Sequence, residues 1–202
     1  MVTTDEVIDT RRRILDVAAR LFREQGYAGV SLRAIAREAD MKAGSFYYHF
    51  ASKEDLVVDV LNEGIRAVRD SVERAMQSLG PDADGSTILR TAVHAHLTSL
   101  LRLSDYTSAN VRVFGQAPEG VRVKALATRR GYETFWDDLL GLAQRRGGLR
   151  GDADLRVARL VIFGALNASL EWFRPDRGSI EQLADSYADL LWRGLRPEAL
   201  KS

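Results

Sequence analysis

The chain has 202 residues, of which 46% are hydrophobic, enough for one or two small domains with a buried core. It contains no cysteine, which excludes disulfide frameworks, thiol nucleophiles and cysteine-based metal sites and fits a reducing compartment. No N-terminal apolar run has the pattern of a signal peptide, and the longest apolar stretch, Leu160 to Leu170, is too short to span a bilayer. We therefore expect a cytoplasmic protein with no membrane partner.

The first predicted helix carries an apolar stripe on one face. Its members recur at helical spacing and comprise Ile14, Leu15, Ala18, Leu21 and Phe22. A second, short helix follows Ser31, a suitable N-cap, and its inward face contains Leu32, Ile35 and Ala36. Asp40 and Met41 then form a turn, because aspartate tolerates the left-handed backbone that often ends a helix.

The third predicted helix, Lys42 to His49, ends in a cluster of aromatic rings. Phe46 and Phe50 are spaced to face the core, which turns Tyr47, Tyr48 and His49 partly outward. Exposed tyrosine and histidine suit hydrogen bonds to phosphate and apolar contact with thymine methyl groups. Inter-helix packing by the tyrosines and capping of the helix end by the histidine are the structural alternatives. Two short helices joined by a tight turn form the helix-turn-helix unit that reads the major groove of DNA.

The fourth predicted helix begins in the segment after this cluster. Ser52 is its expected N-cap, and Asp55 stands at the capping-box position. Lys53 lies at this N-terminus, where a phosphate would be bound favourably.

From Arg11 to Leu61, about a quarter of its length, the chain resembles the DNA-binding domain of the TetR family. The most specific part is the motif GSFYYHFASKEDL, which begins at Gly44. The resemblance implies a three-helix DNA-binding domain over residues 1–53 and a helical ligand-binding and dimerisation domain over residues 54–202. It assigns DNA contacts to Ser31, Arg33, Lys42, Ala43, Gly44, Ser45, Tyr47, Tyr48, His49 and Lys53.

Two positions depart from the family pattern. Asp40 stands where the family usually has glycine, and Ala43 stands where it often has a polar side chain that reads a base. The second departure leaves open how many direct base contacts the recognition helix makes.

The net charge of +1 is unevenly distributed. Between Arg11 and Lys53 there are nine basic and four acidic residues, a local net charge of +5. From residue 54 onward there are 20 basic and 21 acidic residues. A basic N-terminal region beside a neutral remainder is the distribution that binding to phosphates requires.

The rest of the chain shows no alternating strand pattern, so we predict an all-α fold of about nine helices. The four prolines, Pro81, Pro118, Pro175 and Pro197, each lie at an apparent helix boundary. Six helices are expected after the third. The fourth runs from Ser52 to Leu79, the fifth ends at about Leu103 and the sixth begins at Ser104 and Asp105. The seventh runs from Pro118 to Arg146, the eighth from Asp152 to Phe173 and the ninth from Ser179 to Gly194.

The last two helices predict a homodimer. The eighth is apolar almost all round and therefore needs cover on every side, and the ninth carries apolar residues at the spacing of a bundle seam. We expect a two-fold dimer in which these helices form a four-helix bundle. The expected interface residues are Val161, Ala165, Ala168, Ser169, Leu183, Tyr187, Leu190 and Leu191. A purely intramolecular core is the alternative.

The resemblance places an effector site among the fifth to eighth helices. Candidate lining residues are Tyr106, Asn110, Arg112, Phe114, Trp136, Asn167, Glu171 and Trp172. His94 and His96 are further polar candidates, but a separation of two turns them to different helix faces, so no metal site is predicted. A mostly apolar pocket with a few polar groups suits a small organic effector. The same aromatic side chains would serve equally well as ordinary core.

The C-terminal segment GALNASLEWFRPDRGSIEQLADSYADLLWRGL, from Gly164, is similar to TetR regulators that sense acyl-CoA thioesters. Its most telling part is Trp172-Phe173-Arg174-Pro175. The similarity implies that Arg174, Arg177 or Arg112 meets the phosphates of the CoA moiety.

These features predict a homodimeric repressor that binds double-stranded DNA at a palindromic operator and is released by a small-molecule effector, with acyl-CoA as the candidate class. The alternative is a ligand-independent DNA-organising or partner-binding protein on the same fold. An enzyme is not expected, because the chain has no nucleophile elbow, phosphate loop or metal-ligand spacing. No cofactor is implied.

Overall fold

The computed structural model describes residues 4–102 and 105–197, and all regular structure in these ranges is helical. This confirms the predicted all-α fold. The helices are α1 (Thr4–Gly29), α2 (Leu32–Glu38), α3 (Ala43–His49), α4 (Lys53–Gln77), α5 (Gly85–Leu101), α6 (Asp105–Val113), α7 (Glu119–Arg145), α8 (Leu155–Trp172) and α9 (Ile180–Leu195). Within the described ranges no helix is long and apolar enough to cross a membrane. The predicted ends at Leu103 and Ser104 lie outside these ranges.

The chain divides into two compact units. Unit 1 comprises Met1–Arg66 and Ser104–Arg129, and unit 2 comprises Ala67–Leu103 and Arg130–Ser202. Unit 1 therefore contains α1, α2, α3 and α6 together with the first parts of α4 and α7. The predicted boundary after residue 53 separates a DNA-binding domain from a ligand-binding and dimerisation domain, and it stays a prediction.

Unit 1 is built around one apolar core. The predicted stripe of α1 is buried, as are Phe46 of α3 and Phe50 just after it. Leu56 of α4, Val113 of α6 and Val121 of α7 belong to the same core. The helix-turn-helix therefore shares its core with side chains from four other helices.

Helix α6 is bonded to α1 and α4 inside this unit. The Tyr106 hydroxyl donates to Asp16 Oδ1 at 2.6 Å, and Asn110 Nδ2 donates to the Leu61 carbonyl at 2.6 Å. A Cβ atom at Gly64 would overlap the carbonyl oxygen of Tyr106. Glycine is therefore needed for α4 and α6 to approach this closely.

Side-chain caps determine where several helices begin. Ser31 Oγ accepts from the Ala34 N–H at 3.2 Å, and Ser52 Oγ accepts from the Asp55 N–H at 3.0 Å, as predicted. Corresponding caps for α5, α8 and α9 are Asp84, Asp154 and Ser179. Asp40 adopts φ 52°, the left-handed conformation expected of the turn.

Two local features depart from the predicted helices. Gly26 breaks α1 with φ 71°, and the following Tyr27 N–H donates to Gln116 Oε1 at 3.1 Å instead of to a helical carbonyl. Pro175–Arg177 forms a single 3-10 turn between α8 and α9. The first depends on a residue 89 positions away along the chain, so periodicity alone did not indicate it.

Candidate DNA-binding and effector sites

Helix α3 presents one face to the core and the opposite face to solvent. Phe46 and Phe50 are buried, whereas Tyr47 is 53% exposed and Tyr48 is 79% exposed. The ring of Tyr47 meets the edge of Phe46 with centroids 6.0 Å apart, so the buried ring supports the exposed one. With most of its side chain in solvent, Tyr48 has no substantial packing role in the protomer.

The start of α3 is exposed and polar. Lys42, Gly44 and Ser45 are exposed, and a Cβ atom added at Gly44 would meet nothing within 4 Å. Ser31 and Arg33 at the start of α2 are also exposed. The side chain of Ala43 lies outside the described part of the chain. These residues form an open surface that a large partner can approach closely.

Most of the arginines of α1 are paired with carboxylates of unit 1. Arg11 contacts Asp59, and Arg12 contacts Asp16 at 3.1 Å and Glu63 at 3.0 Å. Two further pairs are Arg20 with Glu38 at 2.9 Å and Arg23 with Asp105 at 3.2 Å. The local charge of +5 therefore overstates the number of cations available to an anionic partner.

Four basic residues of this region form no ion pair or hydrogen bond with the described part of the chain. They are Arg13, Arg33, Arg37 and Lys42, and all four are exposed. Since ion pairing within the protein weakens a cation's attraction for phosphate, these four are the basic groups of this region that are most available to an external anion.

Lys53 and His49 are less available to an external anion than their residue types suggest. Lys53 Nζ donates to the Tyr27 carbonyl at 2.6 Å and lies 4.1 Å from the centre of the Tyr27 ring. Partial burial lowers the pKa of Lys53, and burial together with the charge of Arg11 lowers the pKa of His49. The lowered pKa favours the neutral imidazole of His49, in which one ring nitrogen can donate a hydrogen bond and the other can accept one.

The predicted effector residues divide between the two units. Tyr106, Asn110, Arg112 and Phe114 belong to unit 1, where Tyr106 and Asn110 make the helix-to-helix bonds described above. Arg112 is exposed and donates to the Arg23 carbonyl at 2.8 Å. Tyr106, Asn110 and Arg112 therefore hold α6 within unit 1.

Trp136, Asn167, Glu171 and Trp172 belong to unit 2. Trp136 is fully buried, Asn167 is half-buried, and Glu171 and Trp172 are exposed. Trp172 stacks on Tyr187 with ring centroids 6.4 Å apart. Trp136 lies in the deep interior, and the side chain of Asn167 interacts there with the buried His96 imidazole.

The interior of unit 2 contains an aromatic cluster with polar atoms. His96 Nδ1 and the Tyr132 hydroxyl are hydrogen-bonded at 2.9 Å, and the rings of Trp136 and Phe163 lie 5.8 Å and 5.5 Å from that of His96. Burial lowers the pKa of His96 to about 4, so the imidazole is neutral. Trp136 Nε1 is buried and makes no hydrogen bond of regular geometry with the described residues; burial raises the pKa of the nearby Tyr132 hydroxyl, and the Trp136 N–H opposes that rise. Sequence patterns had not connected Tyr132 and Phe163 with this site, because the cluster joins three helices.

Helices α8 and α9 leave an apolar face uncovered in the protomer. Val161 is 56% exposed and Leu190 is 69% exposed, and the exposed Val157 and Leu160 extend the same surface. Of the other predicted interface residues, Ala168 is exposed, and the half-buried ones are Ala165, Leu183, Tyr187 and Leu191.

Ser169 does not share this exposure. It is fully buried, and its Oγ donates to the Ala165 carbonyl at 3.4 Å and lies 3.1 Å from the Tyr187 hydroxyl. We therefore omit it from the apolar face.

Comparison with known proteins gives relatives along nearly the whole chain. The fatty acid metabolism regulator protein of Bacillus subtilis (strain 168) is 25% identical over 91% of this chain and 94% of its own length. The HTH-type transcriptional repressor KstR2 of Rhodococcus jostii (strain RHA1) is 24% identical over 92% of this chain and 90% of its own.

Solved structures agree in fold. AibR, in complex with isovaleryl coenzyme A and operator DNA, has a TM-score of 0.79 and 26% identity over 91% of this chain and 98% of its own. The fatty acid degradation regulator FadR from Bacillus halodurans has a TM-score of 0.80 and 25% identity over 93% of this chain and 96% of its own.

Two family models account for the two parts of the chain. Residues 14–60 match the bacterial regulatory proteins of the tetR family, and residues 82–195 match the tetracyclin repressor-like C-terminal domain. The second match alone spans more than half of the sequence, and the first contains the helix-turn-helix. The chain therefore belongs to the TetR family of bacterial transcriptional regulators, which are DNA-binding proteins and not enzymes.

Proposed function

We propose that this protein is a ligand-responsive transcriptional repressor that binds a palindromic operator as a homodimer and is released by an acyl-CoA thioester. The observation that carries the proposal is the exposed aromatic face of α3, with Tyr47 and Tyr48 in solvent above buried Phe46 and Phe50. Exposed tyrosines beside unpaired cations suit phosphates and base edges. A DNA target also implies a cytoplasmic location.

The contact surface for DNA combines base-reading and phosphate-binding groups. Tyr47, Tyr48 and Ser45 supply hydroxyl groups on α3, while Arg33 and Lys42 supply unpaired positive charge. Gly44 leaves space for close approach of the DNA backbone. In this proposal the cations contribute most of the affinity and the hydroxyl-bearing side chains contribute sequence preference.

A homodimer follows from the apolar face of α8 and α9. Val157, Leu160, Val161 and Leu190 each expose more than half of their side chain. A soluble monomer seldom leaves such a contiguous apolar surface in water, and a two-fold partner would cover it with the same surface of a second copy. Two recognition helices related by that axis would read half-sites about 34 Å apart.

Release by an effector requires that the ligand bind more tightly to the conformation that cannot dock both half-sites. The interior of unit 2 offers a suitable chemistry, because Trp136 Nε1 is a buried donor that makes no hydrogen bond of regular geometry with the described residues. An acceptor atom of a ligand, such as a thioester carbonyl, would satisfy that donor.

The acyl-CoA class is supported by relatives rather than by geometry. The AibR structure contains isovaleryl coenzyme A, and two other relatives are named as regulators of fatty acid metabolism and degradation. Arg174 and Arg177 are exposed near the start of α9, where they could meet the phosphates of such a ligand, and Arg174 Nη1 already donates to the Glu171 and Phe173 carbonyls.

The decisive experiment is fluorescence anisotropy of the purified protein on DNA from upstream of its own gene. The titration is run over a salt series, with and without a panel of acyl-CoA thioesters. Tyr48→Ala is expected to weaken operator binding by about tenfold or more, the scale of one lost base or phosphate contact, without lowering the melting temperature. Val123→Ala, an exposed apolar residue on α7, is the matched control.

Each outcome bears on one part of the proposal. Tight, salt-sensitive binding that one thioester abolishes supports the whole proposal and identifies the effector class. Binding that no thioester changes would rule out the acyl-CoA assignment and favour a ligand-independent DNA-binding protein. Equal affinity of Tyr48→Ala and wild type would contradict the assigned DNA surface.

A further inference from the structure

A groove of unit 1 lies between the N-terminal half of α1 and helix α3. Its α1 side contains Thr10 and Arg13, and its opposite side contains Lys42, Ser45 and Tyr48. Three of these five residues belong to the DNA surface proposed above. The groove therefore extends that surface onto α1, which has no assigned contact.

Arg13 differs from the two arginines that precede it. Arg11 is paired with Asp59, and Arg12 is paired with Asp16 and Glu63. Arg13 is exposed and makes no ion pair or hydrogen bond with the described part of the chain. Of these three adjacent arginines, the one that lines the groove is the one available to an external anion.

We propose that this groove holds one sugar–phosphate strand of the operator, with the Arg13 guanidinium and the Thr10 hydroxyl contacting its phosphates. The inference rests on the proposed function, because it needs DNA docked on α3. Guanidinium and hydroxyl groups are common donors to phosphate oxygens, and guanidinium can make a bidentate contact. Lys42 and Ser45 bind the same strand from the other side of the groove.

DNA, and not a free anion, is the occupant that fits this groove. The groove is open, and it is continuous with Tyr48, whose exposed ring offers the apolar contact that a base or sugar makes and a lone phosphate does not. The contact carries no sequence information of its own, because every nucleotide has the same phosphate. Arg13 is thus expected to increase affinity for operator and random DNA alike.

Substitution of Asp40 should change DNA affinity in the direction opposite to substitution of Arg13. Asp40 lines the same groove, and its carboxylate would repel a phosphate strand placed there. Its φ of 52° is also accessible to asparagine, so Asp40→Asn removes the charge without straining the turn. We expect Asp40→Asn to tighten DNA binding at low salt.

The experiment measures the salt dependence of DNA affinity for Arg13→Gln and Arg130→Gln. Arg130 is an exposed arginine of unit 2, so both variants lose the same charge. Losing one phosphate contact per subunit should lower the slope of log K against log salt by about 2 per dimer in Arg13→Gln only. For Arg13→Gln we expect the affinity for operator and for random duplex to fall about tenfold. We expect a smaller loss of affinity for Thr10→Val and a few-fold gain for Asp40→Asn.

Ethylation interference locates the contact. Ethylation of at least one phosphate per half-site should block binding of the wild type and should have no effect on binding of Arg13→Gln. Equal slopes for Arg13→Gln and Arg130→Gln, with melting temperatures unchanged, would overturn the inference. If the wild type binds upstream and random DNA equally, the proposed operator recognition fails, and the slope on random duplex still decides the role of Arg13.

Discussion

Two surfaces of this chain expose large apolar side chains, and they differ in what surrounds them. On α3, Tyr48 stands beside unpaired Lys42 and near hydroxyl groups. On α8 and α9, Val161 and Leu190 lie in a groove whose other walls are mostly aliphatic. Both surfaces expose apolar side chains to a similar extent, but the residues around them differ in charge.

The difference separates two kinds of partner. An apolar ring among cations gains from a polyanion that also offers apolar base surfaces, whereas an aliphatic groove gains most when water is excluded by a second aliphatic surface. Unit 1 therefore suits DNA, and unit 2 suits a second copy of the chain. This comparison can be tested by changing one surface at a time.

The largest effect is expected from Leu190→Asp, which adds a charge to the aliphatic face. An unpaired carboxylate in a closed apolar interface costs several kcal/mol, so we expect the dimer dissociation constant to rise by at least about 100-fold. Sedimentation velocity at micromolar concentration would show a monomer. Val123→Asp, which places the same charge on an exposed valine of unit 1, should remain dimeric. A dimeric Leu190→Asp would refute the assignment of this face.

The next largest effect is expected on the pH dependence of stability, because of the buried His96 in the interior of unit 2. Burial lowers the pKa of His96 to about 4 from 6.5. Between pH 6.5 and about pH 4 the unfolded chain therefore binds a proton at His96 that the folded chain does not. The free energy of unfolding is for this reason highest above pH 6.5 and decreases as the pH falls toward 4. Linkage predicts a loss of about 2 kcal/mol between about pH 7.5 and about pH 5.

Urea unfolding at the two pH values measures this loss. His96→Gln should remove most of the pH dependence in that window, and His94→Gln should retain it. Carboxylates with a lowered pKa, such as Asp84 and Asp189, contribute mainly at lower pH. A wild-type profile that is flat between the two values would show that His96 is not buried in a neutral form.

A smaller effect is expected from Trp136→Phe, which removes the indole N–H donor of the unit 2 cluster. Because the indole N–H makes no hydrogen bond of regular geometry with the described residues, its loss should cost little beyond ring packing. The effector concentration for half-release of DNA should rise about tenfold, the scale of one hydrogen bond. DNA affinity without effector should not change. An unaltered effector response would exclude this donor from ligand recognition.

The smallest effects come from a matched pair of helix caps, one in each unit. Ser31→Ala and Asp84→Ala each remove the side chain that accepts at a helix start, and each should cost about 1 kcal/mol of stability. Only Ser31 lies in the DNA surface, so only Ser31→Ala should also weaken operator binding. Similar DNA affinity for the two variants would mean that Ser31 has a capping role alone.

Local patterns in the sequence predicted much of this structure. The apolar stripe of α1, the cap at Ser31, the left-handed Asp40 and the buried Phe46 and Phe50 all depend on spacings of a few residues. Helix ends fell within a few residues of the prediction for the same reason. Exposure of Tyr48 followed once Phe46 and Phe50 occupied the core.

Long-range relations could not be predicted in this way. The pairing of Arg12 with Glu63 joins residues 51 positions apart, and no local spacing shows that it leaves Arg13 as the available cation. The bond of Tyr106 to Asp16 spans 90 positions, and no local pattern indicates that this tyrosine, predicted to line an effector site, holds α6 to α1. The sequence therefore indicated which residue types take part, but not their partners.

The attachment of α6 to α1 has a consequence for building chimeric regulators. A crossover after residue 53 would separate Asp16 from its donor Tyr106 and leave the α6-facing side of α1 without its native cover. A chimera that takes residues 1–66 and residues 104–129 from the same parent keeps these contacts together. A chimera in which α6 comes from the same parent as α1 should therefore be more stable than one in which α6 comes from the parent of unit 2.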